Sequence, residues 1–468
     1  MSKNVLILMI SGSEVRQFGH SGMISKLLDN GVGVIVAARF VDQDLRDQFD
    51  PRVECLPLIN EQLSPMYHRL QFALDRVHEI MENTRGKSKW IDEVKKPNKT
   101  IRRKVNSFLF ELFAQIISRF DGLYKHLLLL EMRFEKREKP QKWIEFFQHW
   151  KIDAIIVSTP RSEMLQPALI AARQLGKARL LFFHSIKDIS AKGRLVHPFS
   201  SIGVWNQWMK NELLRQNPFI ESSSIHITGC SHFDCVEIHD LLLSEEAFRK
   251  KIGAKPNSKL LLYPAAVQWV LPDQGRYIWN VVKAINEGKL PENIQIIIRT
   301  NPMDNTDYFS DNFNNCSYVL VAKSNWRAEK DAGWNFQRRD DLVMYNSLLH
   351  YSTLCFGIPS TVTVECAISK LPVINIGFDL SDPRPPRSMK SFWKAEFYQE
   401  EVRHGIATLC ENEADLISQI KTKLLSGNQL TTADYSSYFS DFLGVPPHES
   451  VSKYVDLIKK SINKGQEI

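Results

Sequence analysis

A β/α alternation that stops and then begins afresh constrains this chain more than any other feature. It opens with the apolar strand VLILMI, a helix near Glu14–Asn30, the strand VGVIVAA and a short strand near Val53–Leu58. The alternation resumes at Asp153 with DAIIVST, ARLLFF, SIGVW and IHITG, with helices near 162–175 and 207–216 between them. Turn residues at Gly253–Ser258 precede a second series: KLLLYP, a helix near Gly275–Glu287, IQIIIR, CSYVLVA, a helix near Leu342–Leu349, TLCFG, a helix at Thr363 and PVINIG. Helices near Glu413–Leu425 and Glu449–Ile462 follow. Continuous apolar strands separated by helices predict parallel sheets covered on both faces. With 468 residues the chain exceeds what one core accommodates. The reading is therefore α/β, with two doubly wound domains at 1–253 and 254–468.

Residues 61–150 interrupt the first series and are overwhelmingly helical in pattern, a helical insertion in the N-terminal domain. Leu70, Phe72, Ala73 and Val77 fall at helical spacing, as do Phe108, Leu109, Leu112, Phe113, Ile116 and Ile117. Lys95, Lys96, Lys99, Arg102, Arg103 and Lys104 stand directly before that second set. Two readings stay open for 95–117: attachment to an anionic membrane surface, or an ordinary core-facing helix. The net charge of +7 is modest for this length, and the basic run lacks interleaved aromatics, so nucleic acid is not an expected partner. Seven cysteines, an odd count without a CxxC pair, indicate buried thiols in a reducing compartment. No apolar window reaches transmembrane length, and the first strand lacks the flanks of a signal peptide. The expected location is cytoplasmic, with peripheral association at the inner face of the membrane as the alternative within it.

Cys355–Phe378, CFGIPSTVTVECAISKLPVINIGF, reads as strand, loop, helix and strand. Pro359 and the hydroxyls of Ser360, Thr361 and Thr363 open the helix, where backbone N–H groups favour an anion, and Glu365 follows within the first turns. That pattern suits a nucleotide diphosphate with its ribose on Glu365; it equally suits an ordinary βαβ unit with a hydroxyl N-cap.

Three segments carry a resemblance: HSIKDISAKGRLVHPFSSIGVWNQWMKNELL at His184–Leu214 leading to ITGCSHFD at Ile227–Asp234, IIIRTNP at Ile296–Pro302, and LVMYNSLLHYSTLCFGIPSTVTVECAISKLPVINI at Leu342–Ile376. Covering about a fifth of the chain, they resemble bacterial surface-carbohydrate biosynthesis proteins of GT-B type. That architecture is shared with UDP-GlcNAc 2-epimerases and CDP-glycerol glycerophosphotransferases. The resemblance implies two Rossmann-like domains facing a central cleft, an acceptor side in the first and a nucleotide-donor side in the second. It implies metal-independent transfer of a sugar from a nucleotide-sugar donor to a glycan or lipid-linked glycan acceptor, without a cofactor. A polyol-phosphate transferase, a nucleotide-sugar 2-epimerase and a non-catalytic binding protein are the alternatives on the same fold. The chain departs from the family pattern at Ile186-Lys187-Asp188, where an aromatic-Asp-Asn run is usual, and at Asn301, where a phosphate-contacting His is usual.

Such a transfer needs stabilisation of the leaving phosphate and a base for the acceptor hydroxyl. For the first, the sequence offers Ser360, Thr361 and Thr363, assisted by Arg299 at the end of a predicted strand, with Asn301 just after it. A carboxylate partner such as Asp304 is the structural alternative for Arg299. The turn after KLLLYP, with Tyr263 and Ala265, is small enough for backbone to approach phosphate. Lys187 and Lys192 add cations in the loop FFHSIKDISAKG. For the base, His20, His184 and Asp188 compete, His20 lying in SGSEVRQFGHSG, which is not a dinucleotide fingerprint. Trp205 and Trp208 are expected in the core. Alanine at Arg299 or Glu365 is expected to weaken nucleotide affinity without unfolding. No Asp-x-Asp or zinc-type spacing points to a metal.

Overall fold

Seven apolar runs pair side by side, every neighbour parallel, into the first sheet. The computed structural model describes residues 3–82, 111–159, 162–186, 188–189, 194–217, 219–236, 238–268, 270–304, 307–329, 333–380, 388–389, 401–425 and 435–464. The strands are β1 (Lys3–Met9), β2 (Val32–Ala38), β3 (Glu54–Pro57), β4 (Ile152–Val157), β5 (Ala178–Phe182), β6 (Ser201–Val204) and β7 (Ile225–Ile227). Their order is β3-β2-β1-β4-β5-β6-β7, so the winding reverses between β1 and β4. Val5, Ile7, Met9, Val34, Val36, Ala154 and Ile156 are buried in one cluster, as expected for strands with helices on both faces. The helix Gln207–Gln216 starts where the Asn206 side chain accepts from the Met209 N–H at 2.9 Å.

The second sheet contains β8 (Lys259–Pro264), β9 (Ile294–Arg299) and β10 (Val319–Ala322); after a hairpin, β11 (Trp326–Glu329) and β12 (Trp334–Gln337), come β13 (Leu354–Gly357), β14 (Val373–Ile376) and β15 (Ala407–Cys410). The order β10-β9-β8-β13-β14-β15, counted within this sheet, is the 3-2-1-4-5-6 of Rossmann sheets, with its reversal between β8 and β13. The hairpin and β15 were not foreseen: WRAE, WNFQ and ATLC are short and lack the continuous apolar run that marks the equally short β13 and β14.

The chain forms two compact units, 1–234 with 328–336 and 443–468, and 235–327 with 337–442. This differs from the expected division at 253/254 in two respects. The helix Glu245–Ile252 packs against the helix Arg339–Tyr351 of the second unit. The final helix, Ser450–Lys464, belongs to the first unit: Tyr454 stacks on Phe182 with ring centroids 3.9 Å apart, and Val455 and Ile458 are buried beside it. Periodicity identifies an amphipathic helix but not which sheet receives its apolar face.

The described residues of the insertion form helices at Pro65–Met81, 111–118, Asp121–Glu135 and Gln141–His149, joined by short turns. Its small core holds Leu74, Val77, Ala114, Ile117, Tyr124 and Leu128. The expected apolar faces divide here. Val77 and Ile117 are buried, whereas Phe72, Leu112, Phe113 and Ile116 are exposed. The inward side of the 111–118 helix is set by Ala114 and Ile117, which turns 112, 113 and 116 outward. The basic run at 95–104, with Phe108 and Leu109, lies outside the described residues. Among the described residues no helix is long and apolar enough to cross a membrane. Six cysteines are buried, Cys316 is half-buried, and all seven are free thiols.

Candidate functional site

In the second unit, four side chains link the carboxyl end of β9 to the helix after β13. Arg299 closes β9, and its Nη2 donates to both oxygens of Asp341 at 2.7 and 2.6 Å, while Nη1 donates to the Lys323 carbonyl at 3.1 Å. Asp341 lies in the first turn of Arg339–Tyr351 and also accepts from the Asn325 N–H, the Trp326 indole and the Gln337 amide. Burial pushes the Asp341 carboxyl up, but the Arg299 charge and these hydrogen bonds outweigh it and hold it below the usual carboxylate range. The guanidinium carbon lies 5.8 Å from the Tyr345 ring centroid, and the Tyr345 hydroxyl donates to Glu365 Oε2 at 2.5 Å. Arg299 is thus buried and paired with a carboxylate. The partner is Asp341; Asp304 instead accepts the Gln268 N–H at 2.9 Å on each oxygen. Asp341, Trp326, Gln337 and Tyr345 were missed because two of them lie on the unforeseen hairpin and two in a helix read only as apolar.

The loop after β13 differs from the expected open helix start. The helix is Val362–Ile368, with Thr363 and Glu365 buried, Ser360 half-buried and Thr361 exposed. Its first amides bond locally, Val362 N–H to Ser360 Oγ at 3.3 Å, Thr363 N–H to the Ser360 carbonyl at 3.0 Å and Val364 N–H to the Thr361 carbonyl at 3.2 Å. A turn of i→i+3 type, set by Pro359 and Ser360, takes donors that a longer helix would leave free. The loop after β8 is closed in a similar way. Ala265 N–H reaches the Arg299 carbonyl, and the Gln274 side chain both accepts from Ala266 N–H and donates to the Ala266 carbonyl, each at 2.9 Å. Tyr263 packs wholly in the core with its ring 5.2 Å from that of Phe356, and burial pushes its hydroxyl pKa up. Asn301 is half-buried, its Oδ1 accepting from Met303 N–H at 2.9 Å.

In the first unit, the loop after β1 leads into a π-helix, Val15–His20, a rare element whose widened turn often marks functional positions. Glu14 is fully buried where the strand order reverses. Its carboxylate accepts from the Ser11 N–H at 3.3 Å, Ser11 Oγ at 2.8 Å and Ser158 Oγ at 3.1 Å. The Glu14 side chain thus closes the loop after β1 on itself, in keeping with the missing dinucleotide fingerprint. Gly12 is required there: its φ is +82°, and an added Cβ would meet the Asn335 carbonyl oxygen at 2.2 Å.

One of the three base candidates, His184, meets a residue the sequence did not flag. Gln17, in the same π-helix as His20, faces His184 with Oε1 3.3 Å from Nδ1, and Gln17 Nε2 donates to the Phe182 carbonyl. His184 meets His232 edge-on at 5.3 Å between ring centroids. His20 and Asp188 are buried. Lys187 and Lys192 lie outside the described residues. Trp205 is buried as expected, whereas Trp208 is 39% exposed, because position 208 faces outward on the helix that Met209 and Leu213 anchor. Among the described residues no group of three or more His, Cys, Asp or Glu side chains is placed to hold a metal ion.

Asp234 was not foreseen either. Its Oδ2 accepts from Val451 N–H at 2.7 Å, and burial pushes the carboxyl up to about 6. Because this lies above the ordinary value of 3.8, the folded protein holds the proton more tightly than the unfolded chain does. The stabilisation is complete below the unfolded value and is lost as pH rises through 6, a span worth about 2–3 kcal/mol. Asp234→Asn should flatten this dependence: urea titrations near pH 4 and near pH 7.5 should show the variant gaining on the wild type at the higher pH. A constant offset between the two proteins would refute the assignment.

These sheets, strand orders and insertion define a GT-B fold with two Rossmann-like domains. UDP-GlcNAc 2-epimerase from Methanocaldococcus jannaschii superposes with a TM-score of 0.55 at 13% identity, covering 98% of this chain and 99% of its own. The epimerase from Neisseria meningitidis, solved with UDP-GlcNAc bound, gives 0.53 at 12% identity, covering 98% and 100%. A glycosyltransferase from Rickettsia africae gives 0.52 at 12% identity, covering 98% and 99%. No protein-family model matches the chain, and no curated protein matches its sequence.

Proposed function

We propose that the chain is an enzyme acting on a nucleotide sugar, and that it transfers the sugar to a surface glycan or lipid-linked glycan acceptor. The carrying observation is Glu365: a buried carboxylate, fixed by the Tyr345 hydroxyl at 2.5 Å, in the first helix after the strand-order reversal of the second sheet. Ligands of open α/β sheets bind outside the carboxyl ends of the strands at that reversal. A carboxylate there suits ribose hydroxyls, and its fixed rotamer lowers the ordering cost of binding. Half-buried Ser360 and exposed Thr361, in the loop before that helix, are the candidates for the diphosphate, with Asn301 two residues after Arg299. His20, His184 and Asp188 are the candidates for the acceptor's base, with no metal or cofactor required. The neighbours named for UDP-GlcNAc, one of them solved with it bound, support this donor class.

The test is a thermal-shift panel of UDP-, CMP-, CDP-, GDP- and dTDP-sugars, since a ligand of the folded state alone raises its melting temperature. One nucleotide class should stabilise the protein. Glu365→Gln, which keeps the shape and the Tyr345 contact, should weaken that nucleotide at least tenfold, about 1.4 kcal/mol, with the unliganded melting temperature unchanged. No shift with any nucleotide would favour a non-catalytic protein. The full-length superposition on two epimerases favours a second reading, 2-epimerisation. Incubation with UDP-GlcNAc alone separates them: isomerisation without acceptor would select the epimerase.

A further inference from the structure

The insertion presents an outer surface at odds with an ordinary helical subdomain. Leu112, Phe113 and Ile116 on the helix 111–118 and Phe120 at the corner that follows are 45%, 51%, 49% and 59% exposed, and Leu123 continues on the next helix. Monomeric proteins seldom leave such a contiguous apolar stripe open to water. The charges around it are sorted by sign. Arg119, Lys125, Arg133, Lys136, Arg137 and Lys139 are exposed, while Asp121, paired with Lys125 at 2.7 Å, is the one exposed acid of 111–139. The other acids are held by partners: Glu131 and Glu135 are buried on Arg194 and Arg173, while Glu111 and Glu138, both half-buried, are held by Arg76 and Ser64.

From this we infer that the insertion docks on an anionic lipid bilayer, the stripe entering the boundary between headgroups and acyl chains while the cations engage lipid phosphates. An apolar stripe flanked by long cationic side chains is what that boundary accepts. A second copy of the chain is disfavoured as the occupant, because an isologous contact would set like cations against each other. The inference stands independently of the nucleotide-sugar reading.

Full-length protein should co-sediment with vesicles of phosphatidylcholine and phosphatidylglycerol about tenfold more strongly than with phosphatidylcholine alone, and salt should weaken the binding. Phe113→Ser with Ile116→Ser and Phe120→Ser, outward side chains whose loss leaves the core intact, should reduce binding at least tenfold. Arg119→Glu with Arg133→Glu should abolish the preference for phosphatidylglycerol. Circular dichroism would establish that both variants keep the wild-type fold. Absence of binding, equal binding to both vesicles, or unchanged binding by the serine variant would overturn the inference. So would a wild-type dimer in sedimentation equilibrium that the serine variant dissociates.

Discussion

Replacing Arg299 by alanine is expected to destabilise the second unit by about 3–5 kcal/mol, the usual cost of leaving a buried charge without its partner. The Asp341 side chain is 1% exposed, and Arg299 supplies its only cationic contact at hydrogen-bond distance among the described residues. Without it, three neutral donors face a carboxylate that burial already disfavours. This reverses the expectation from sequence, in which Arg299→Ala affects nucleotide affinity alone. The melting temperature should fall by roughly 10 °C for a unit of this size. The double variant Arg299→Met with Asp341→Leu, which removes both charges, should regain more than half the loss. A stable Arg299→Ala that has lost nucleotide binding would mean that the guanidinium leaves Asp341 for the ligand.

Arg299 also shows where sequence reasoning reached and where it stopped. Its placement at the carboxyl edge was legible, because the three isoleucines before it and the Thr-Asn-Pro after it mark a strand end. Its partner was not. Asp341 is 42 residues away, brought near by the helix Arg339–Tyr351, whose apolar spacing says nothing of where its first turn points. The same division runs through the molecule. Strands with continuous apolar runs were found within a residue or two, since their burial on both faces is written into composition. The hairpin and β15, which lack such a run, were not. Ser360 and Thr361 were read as an anion site from residue type, yet the amides there depend on whether the turn closes on itself, which Pro359 and Ser360 decide in three dimensions. Gln17 escaped because a π-helix shifts the side-chain rotation by which a helical face is read.

Arg194 is the other position where a large effect is expected, with a different reach. Its side chain is 3% exposed and forks onto Glu131 at 2.6 and 2.7 Å, with Asp75 at 2.9 Å. Glu131 and Asp75 lie on two insertion helices, Asp121–Glu135 and Pro65–Met81, and Arg194 is the cation that joins them to the chain just before β6. Arg194→Met should therefore cost about 3–5 kcal/mol. The loss should be local, because the sheet core of Val5, Ile7, Ala154 and Ile156 makes no use of this cluster. Hydrogen exchange should show the amides of Asp121–Glu135 and Pro65–Met81 losing protection while those of β1 and β4 keep theirs. Adding Glu131→Leu should restore protection, since the stranded carboxylate is then gone. Uniform loss of protection across the sheet would instead make Arg194 part of the first unit's global core.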